Sequence, residues 1–180
     1  MSLHRQVVRS SSALMGLTLV FAVGVFHSYA GEIFNPKPAP TFKAKTLKGS
    51  DLDIRKLKGH LILLEFWRRE CSDCMLTMEK LVQLRKDIPE EQLTMIGINC
   101  DEDKTVPINF LRRKPANWPQ IHAGSQETDL THLYEVEDLP AFCVIDPDGN
   151  LIYRAERGNV DDLVEILAPR LPNVSEHGTE

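Results

Sequence analysis

Apolar residues follow two different periods along the chain, and the change of period predicts where strands and helices lie. Nearly continuous apolar runs at residues 60–67 and 93–99 predict two strands that are covered on both faces. Between them, from Cys71 to Ile88, apolar residues recur three and four positions apart, which predicts a helix that stops at Pro89. A strand, a helix and a second strand in this order indicate an α/β domain.

Shorter elements surround this unit. Residues 41–47 and 52–54 predict two short strands on either side of a polar turn, which together form a hairpin. A further helix opens at Thr105, with Pro107 in its first turn. The remaining predicted elements are an extended segment at 117–121, a short helix at 129–134, strands at 142–145 and 151–156, and a last helix at 158–168.

The first thirty residues differ in composition from the rest of the chain. Residues 1–30 begin with basic residues and no acid, continue with the apolar run 13–26, and end with the small residues Ser28 and Ala30 around a tyrosine. This arrangement is typical of a secretory signal peptide. The uncharged stretch 10–30 leaves an uncleaved membrane anchor as the alternative. Either way, the remainder is expected to be periplasmic or otherwise extracytoplasmic.

Length and charge suit one soluble domain behind this segment. The chain has 180 residues, of which 42% are hydrophobic and 26% charged, as in globular proteins. A net charge of −5 offers no basic face for nucleic acid, so nucleic acid is excluded as a partner. We predict a proline-rich extended leader at residues 31–40, a globular domain at 41–170 and a disordered tail at 171–180.

Four cysteines are the main candidates for chemistry. Cys71 and Cys74 are three positions apart, whereas Cys100 and Cys143 stand alone. Disulfides persist outside the cytoplasm. A structural bridge between Cys71 and Cys74 would constrain the unfolded chain very little, because the stabilisation grows with the length of the closed loop. The spacing therefore favours a bond that opens and closes.

The position of this pair strengthens a redox interpretation. Cys71 falls between a buried strand and the start of a helix, where unpaired N–H groups and the helix dipole favour an anion. The thiolate is the form that attacks a disulfide. Cys74 lies one turn further on, better shielded and within reach of Cys71 to resolve a mixed disulfide.

Several motifs together resemble a known family. The segment from Glu65 to Cys74 (Glu-Phe-Trp-x-x-x-Cys-x-x-Cys) resembles the active-site segment of thioredoxin, and residues 134–149 resemble the downstream block of the exported TlpA/ResA-like thioredoxin-related oxidoreductases. The resemblance runs from about residue 38 to residue 168. It implies a thioredoxin fold, in which a central mixed sheet is flanked by helices and carries an N-terminal β-hairpin extension.

The resemblance implies catalytic roles for three residues. Cys71 would be the attacking cysteine and Cys74 the resolving one. Glu65 falls where thioredoxin keeps a buried carboxylate that moves protons for the resolving cysteine. Burial in a strand covered on both faces should raise the pKa of Glu65 and suit it to accept that proton. The alternative for Glu65 is a structural pairing with a lysine or a tyrosine.

The resemblance also implies three substrate-binding residues. Pro140 would be the cis-proline of the family, lying against the disulfide, and Leu139 would present its backbone to a substrate strand. Trp67, next to the cysteine loop, completes this group. A proline that merely enters a strand is the alternative for Pro140.

The chain departs from the family at several positions. Glu70 replaces the tryptophan usual before the first cysteine, Ser72 and Asp73 replace an inner dipeptide that commonly contains proline, and Thr77 stands where the exported members often carry glutamate. Exposed charges of both signs therefore flank the pair, and each is worth less than about 1 kcal/mol after screening. The residues leave the redox potential open.

The resemblance further implies that Cys100 and Cys143 are core thiols, because their strands would lie about 9–10 Å apart, beyond the reach of a disulfide. We predict a monomeric thiol–disulfide oxidoreductase with no cofactor and no metal, exchanging electrons with protein thiols and disulfides. The resemblance favours the reducing direction, which requires a membrane-bound electron donor in an oxidising compartment.

A Cu(I)-binding metallochaperone with a thioredoxin fold is the alternative function. Cys71, Cys74, Met75 and Met78 place four sulfur atoms within two helical turns, and such ligands suit Cu(I). However, Met78 also fits the apolar stripe of the helix. Peroxide reduction is disfavoured because thiol peroxidases place threonine or serine three residues before the cysteine, where this chain has Arg68.

Overall fold

The computed structural model describes residues 32–114, 116–126 and 129–171. The signal peptide predicted at residues 1–30 and the tail from residue 172 onward lie outside the described residues. Along these residues the strands are β1 (Glu32–Pro38), β2 (Lys43–Lys45), β3 (Asp51–Asp53), β4 (Leu61–Trp67), β5 (Leu93–Asn99), β6 (Gln120–His122), β7 (Ala141–Ile145) and β8 (Asn150–Glu156). The α-helices are α1 (Ser72–Asp87), α2 (Thr105–Leu111), α3 (Leu130–Leu133) and α4 (Val160–Leu167).

Six of these strands form one mixed sheet in the order β1-β8-β7-β4-β5-β6. Strand β4 lies at its centre, parallel to β5 and antiparallel to β7. All of its residues are buried, as are those of β5, which agrees with the continuous apolar runs in the sequence. The predicted central mixed sheet with flanking helices is confirmed.

Strands β2 and β3 form a separate two-stranded hairpin ahead of the central strand. A bridge between Thr46 and Ile121 connects the hairpin region to β6 at the edge of the main sheet. This is the N-terminal hairpin extension that the sequence predicts.

The segment expected to be an extended leader contributes an edge strand. Strand β1 pairs antiparallel with β8, and its register shifts between Ile33 and Lys37. Pro36 lies within this shift and has no N–H to donate, so the irregular pairing fits a position at the sheet edge. The apolar pattern did not reveal this strand because it is short of apolar residues and rich in proline.

Two apolar cores lie on opposite faces of the sheet. Alternate residues of β4 divide between them: Ile62, Leu64 and Phe66 face the core shared with α3 and the hairpin, whereas Leu61 and Leu63 face the core shared with α1 and α4. Glu65 and Trp67 follow the second set, since side chains alternate along a strand.

Among the described residues, no helix combines the length and the apolar character needed to cross a lipid bilayer.

Candidate active site

Cys71 and Cys74 are joined by a disulfide at the start of α1, with their Cα atoms 5.2 Å apart. Cys71 is the N-cap residue of the helix, and its sulfur accepts a 3.0 Å hydrogen bond from the backbone N–H of Cys74. Cys71 is half-buried, whereas Cys74 is fully buried. An incoming thiol or disulfide can therefore reach Cys71, whereas Cys74 is shielded from it.

The loop before the disulfide is anchored to the end of the neighbouring strand. The backbone N–H of Arg69 donates to both carboxylate oxygens of Asp101, at 3.0 and 3.1 Å. The Asn99 side chain holds the same carboxylate at 2.7 Å, and the N–H of Cys100 donates to the carbonyl of Trp67 at 2.7 Å. Because β4 and β5 are parallel, their carboxyl ends meet, and these bonds fix the cysteine loop there.

Two tilted aromatic rings, those of Trp67 and Phe110, pack next to this loop. The guanidinium of Arg69 is 5.2 Å from the centre of the Phe110 ring, a cation–π distance. The Phe110 ring in turn lies 5.8 Å from that of Trp67. Trp67 is fully buried and contacts the core cluster that holds Cys74 and Met78. Its side chain therefore has no surface to offer a substrate, and it supports the cysteine pair from below.

Glu65 lies on the same sheet face as Trp67 and is 1% exposed. Burial raises the pKa of its carboxyl to about 8, an effect that the nearby Trp118 indole partly offsets. The Trp118 N–H does not reach hydrogen-bond geometry, and neither Glu65 oxygen has a partner among the described residues. The pairing with lysine or tyrosine considered from the sequence is therefore not present, and the carboxyl is kept neutral by burial alone.

Gln120 extends its amide into the space beside Glu65. Glu65 pairs in register with Gly97 on β5, and Gly97 pairs with Gln120 on β6. A methyl group added at Gly97 would overlap the Gln120 amide, so the amide lies directly over this glycine. The Gln120 oxygen accepts a 3.0 Å hydrogen bond from the Trp67 indole.

Leu139 and Pro140 lie directly ahead of β7, whose first residue, Ala141, pairs with Phe66 near the end of β4. Their peptide bond is cis. Leu139 packs against the apolar cluster around Trp67 and Cys74, to which Cys71 also belongs. Pro140 is buried, and its carbonyl accepts a 3.1 Å hydrogen bond from the N–H of Gly158. The sequence-derived site residues on β4, α1 and the loop before β7 are thus brought to one end of the sheet.

The side chains of the two remaining cysteines pack in the core on the opposite face of the sheet. Cys100 and Cys143 are free thiols in the part of the chain that the structure describes, which confirms the prediction that they are not bonded to each other. Burial raises the pKa of each thiol to about 12. Such thiols stay protonated at neutral pH and are poor nucleophiles.

The helix after the disulfide bears on the copper alternative. Met78 is 4% exposed and packs with Trp67 and Phe110 in the core. Its thioether is therefore a packing group, and the sulfur atoms of Cys71 and Cys74 are already bonded to each other. The arrangement favours disulfide chemistry over Cu(I) binding.

Sequence reasoning missed four residues. Asp101 and Phe110 contact the cysteine loop at Arg69, and Trp118 and Gln120 lie in the region of Glu65. These residues come from three segments that are distant in the sequence. Gly97 carried a usable signal, because a glycine inside a strand often marks the close approach of another group.

The chain matches the AhpC/TSA family over residues 36–154. It is 28% identical over 116 residues to the thiol-disulfide oxidoreductase ResA of a Bacillus cereus strain, covering 64% of this chain and 66% of that protein. With ResA of Bacillus subtilis (strain 168), the identity is 24% over 141 residues, covering 76% of this chain and 78% of that protein. The sequence thus spans about two thirds or more of these relatives.

Solved structures share the fold. The thioredoxin domain of a thiol-disulfide oxidoreductase from Bacteroides vulgatus superimposes with a TM-score of 0.67 at 21% identity, covering 78% of this chain and 99% of that domain. A secreted Mycobacterium tuberculosis disulfide oxidoreductase, described as homologous to E. coli DsbE, gives a TM-score of 0.61 at 24% identity, covering 71% of this chain and 95% of that one.

Proposed function

Because the chain belongs to the AhpC/TSA family and is a thiol–disulfide oxidoreductase of the thioredoxin superfamily, we propose that it reduces protein disulfides outside the cytoplasm. The observation that carries this proposal is the Cys71–Cys74 disulfide at the start of α1, with Cys71 accessible and Cys74 buried.

The first step is attack by Cys71. In the reduced enzyme its thiolate attacks one sulfur of a substrate disulfide, a mixed disulfide forms, and the other substrate sulfur leaves as a thiolate. The N–H of Cys74, which donates to the Cys71 sulfur in the disulfide form, is placed to stabilise the anion before attack. The helix N-terminus adds its dipole to this effect.

The second step is resolution by Cys74. In the molecules in which Glu65 is ionised, the Cys74 thiol gives its proton to the Glu65 carboxylate. The resulting thiolate attacks the Cys71 sulfur. The Cys71–Cys74 disulfide forms and the second substrate thiolate leaves, so the substrate gains two electrons that the cysteine pair loses. A pKa of about 8 for Glu65 lies close to the ordinary thiol value of about 8.5, which makes the proton transfer nearly balanced.

The substrate strand is proposed to lie beside Leu139 and Pro140. Leu139 is half-buried next to the cysteine pair, in the loop ahead of β7, whose strand pairs begin at Ala141. Trp67, being fully buried, would act on the substrate only through the cysteine loop that it supports.

The reducing direction requires a source of electrons. In an oxidising compartment the Cys71–Cys74 disulfide must be reduced again by a dithiol, which we propose is carried by a membrane-bound donor. A redox titration of the purified protein tests the direction. A midpoint near that of thioredoxin, about −270 mV, supports a reductase, and one near −120 mV identifies an oxidant instead.

The location rests on the predicted signal peptide and on the secreted relative of known structure. A fusion of residues 1–40 to alkaline phosphatase, which is active only after export, tests it. High phosphatase activity is expected, and activity that stays in the cytoplasmic fraction contradicts export. The N-terminal residue of the mature protein separates a cleaved signal peptide from an uncleaved anchor.

A further inference from the structure

Four buried polar atoms on one face of the main sheet have no hydrogen-bond partner among the described residues. Two are the carboxyl oxygens of Glu65, one of which carries the proton while the carboxyl is neutral, and two are N–H donors, the indole nitrogen of Trp118 and the amide nitrogen of Gln120. Leaving a buried donor or acceptor unpaired costs about 1–3 kcal/mol. Several unpaired polar atoms in one region therefore call for an explanation.

These three side chains share one region of the sheet. Gln120 reaches over Gly97, which is the in-register neighbour of Glu65, so its amide lies about one strand spacing from the Glu65 strand. The Trp118 indole lowers the pKa of the Glu65 carboxyl, which burial raises. Their exposures are 1% for Glu65, 6% for Gln120 and 7% for Trp118.

The donors also lie next to a cleft. Trp118 and Gln120 line a surface cleft of about 750 Å³ between the N-terminal hairpin and α2. The two residues therefore border open space on one side of the site. The Gln120 oxygen is held by the Trp67 indole, which leaves the amide N–H groups as the free end.

We propose that Trp118 and Gln120 form a donor pair that receives the Glu65 carboxylate when Glu65 loses its proton. In the neutral state all four atoms stay unpaired, and ionisation turns the two oxygens into strong acceptors for the two N–H groups. Trp118 and Gln120 are positioning residues that act through Glu65. The inference rests on the proposed role of Glu65 as the group that exchanges a proton with Cys74.

Other titratable groups on this face leave the assignment intact. Cys74 on α1 lies on this face, but its sulfur is in the disulfide. Tyr153 on β8 lies there too, and both burial and the nearby Asp162 carboxylate raise its pKa, to about 12. Neither contributes to the raised pKa of Glu65, which burial causes and Trp118 opposes.

The test measures the ionisation of Glu65 in the oxidised protein, by infrared spectroscopy of its carboxyl band or by ¹³C NMR of labelled glutamate. The Glu65→Gln variant assigns the signal. Trp118→Phe removes the indole N–H. Gln120→Met is made together with Trp67→Phe, so that the Trp67 indole cannot replace the lost donor. We expect the pKa of Glu65 to rise by about one unit in each, a tenfold fall in its dissociation constant.

Trp67→Phe alone is the matched control, because it removes an N–H that already has a partner, and the pKa of Glu65 should stay near that of the wild type. Gly97→Ala is a geometric test, since its methyl group displaces the Gln120 amide without removing a donor, and it should raise the pKa as Gln120→Met does.

An unchanged pKa in folded Trp118→Phe and in the Gln120 variant overturns the proposal, and a rise in only one of them overturns the pair. Whether Glu65 is the proton acceptor at all is read separately, from the rate at which Glu65→Gln resolves a mixed disulfide.

Discussion

The backbone N–H of Cys74 donates a 3.0 Å hydrogen bond to the sulfur of Cys71. The bond exists because Cys71 occupies the N-cap of α1, where the first N–H groups of the helix have no carbonyl partner. We propose that the same donor serves the Cys71 thiolate once the disulfide opens. The two cysteines are therefore unequal: one sulfur is capped and accessible, and the other is buried behind it.

This inequality predicts which variant traps a substrate. Cys74→Ser should accumulate a mixed disulfide through Cys71, because attack remains possible and resolution does not. Cys71→Ser should accumulate little, since the Cys74 sulfur is fully buried. Both variants are incubated with insulin whose disulfides are intact. Non-reducing electrophoresis and mass spectrometry then measure the mixed disulfide. Trapping through Cys74 would mean that the roles are reversed.

Glu65 predicts a dependence of stability on pH. Its pKa is about 8 in the folded protein and near 4.5 when unfolded, so the folded state binds more protons between these two values. Stability from this group is fully present below about pH 4.5 and is lost as the pH rises through about 8, by about 1.4 kcal/mol per pH unit between these two values.

Glu65→Gln removes that slope, because the amide does not titrate. Urea denaturation of both proteins at pH 5, 6, 7 and 8 should show the wild type losing stability relative to the variant as the pH rises. Parallel curves over this range would refute a buried carboxyl that is neutral at pH 5.

Because Asp101 anchors the cysteine loop at Arg69, we expect its loss to lower turnover. Asp101→Ala removes the acceptor for the Arg69 N–H and the partner of Asn99. We expect a loss of about 1–2 kcal/mol in unfolding free energy and a threefold to roughly tenfold fall in kcat/KM for insulin reduction.

Asp103→Ala is the control for this variant, because it also removes a loop carboxylate but one that bonds Thr105 at the start of α2. It should cost stability without a comparable loss of turnover. Equal losses of turnover in both would show that the Asp101 contact has no particular role in holding the cysteine loop.

The free cysteines predict a pattern of chemical reactivity. Because burial raises the pKa of both Cys100 and Cys143 to about 12, Ellman's reagent at pH 8 should react with neither within minutes in the folded, oxidised protein. Both should react after denaturation in guanidinium chloride, and Cys100→Ser and Cys143→Ser should keep full turnover. Rapid modification of native Cys100 would count against its burial.

Much of the fold was readable from the sequence because its central strands leave a strong pattern. β4 and β5 are buried on both faces, so their apolar runs and the helical period after Cys71 are unambiguous. The sequence did not predict strand β1, because pairing at a sheet edge needs backbone groups only and the prolines of this segment suggested a loop.

The site was readable only in part, for a related reason. Cys71, Cys74 and Glu65 are marked by their local sequence, as a C-x-x-C at a strand–helix junction and a carboxyl inside an apolar strand. Gln120 comes to lie near the Glu65 strand through register across β5 and through the missing side chain of Gly97. Register between distant segments is set by the whole sheet, and no local pattern encodes it.

Catalysed reduction of insulin by dithiothreitol tests the central claim most directly, with wild type and Cys71→Ser compared at equal concentration. Thiol–disulfide exchange through the Cys71–Cys74 pair predicts that the wild type accelerates precipitation of the insulin B chain and that Cys71→Ser returns it to the uncatalysed rate. A wild-type rate no faster than that of Cys71→Ser would contradict the account.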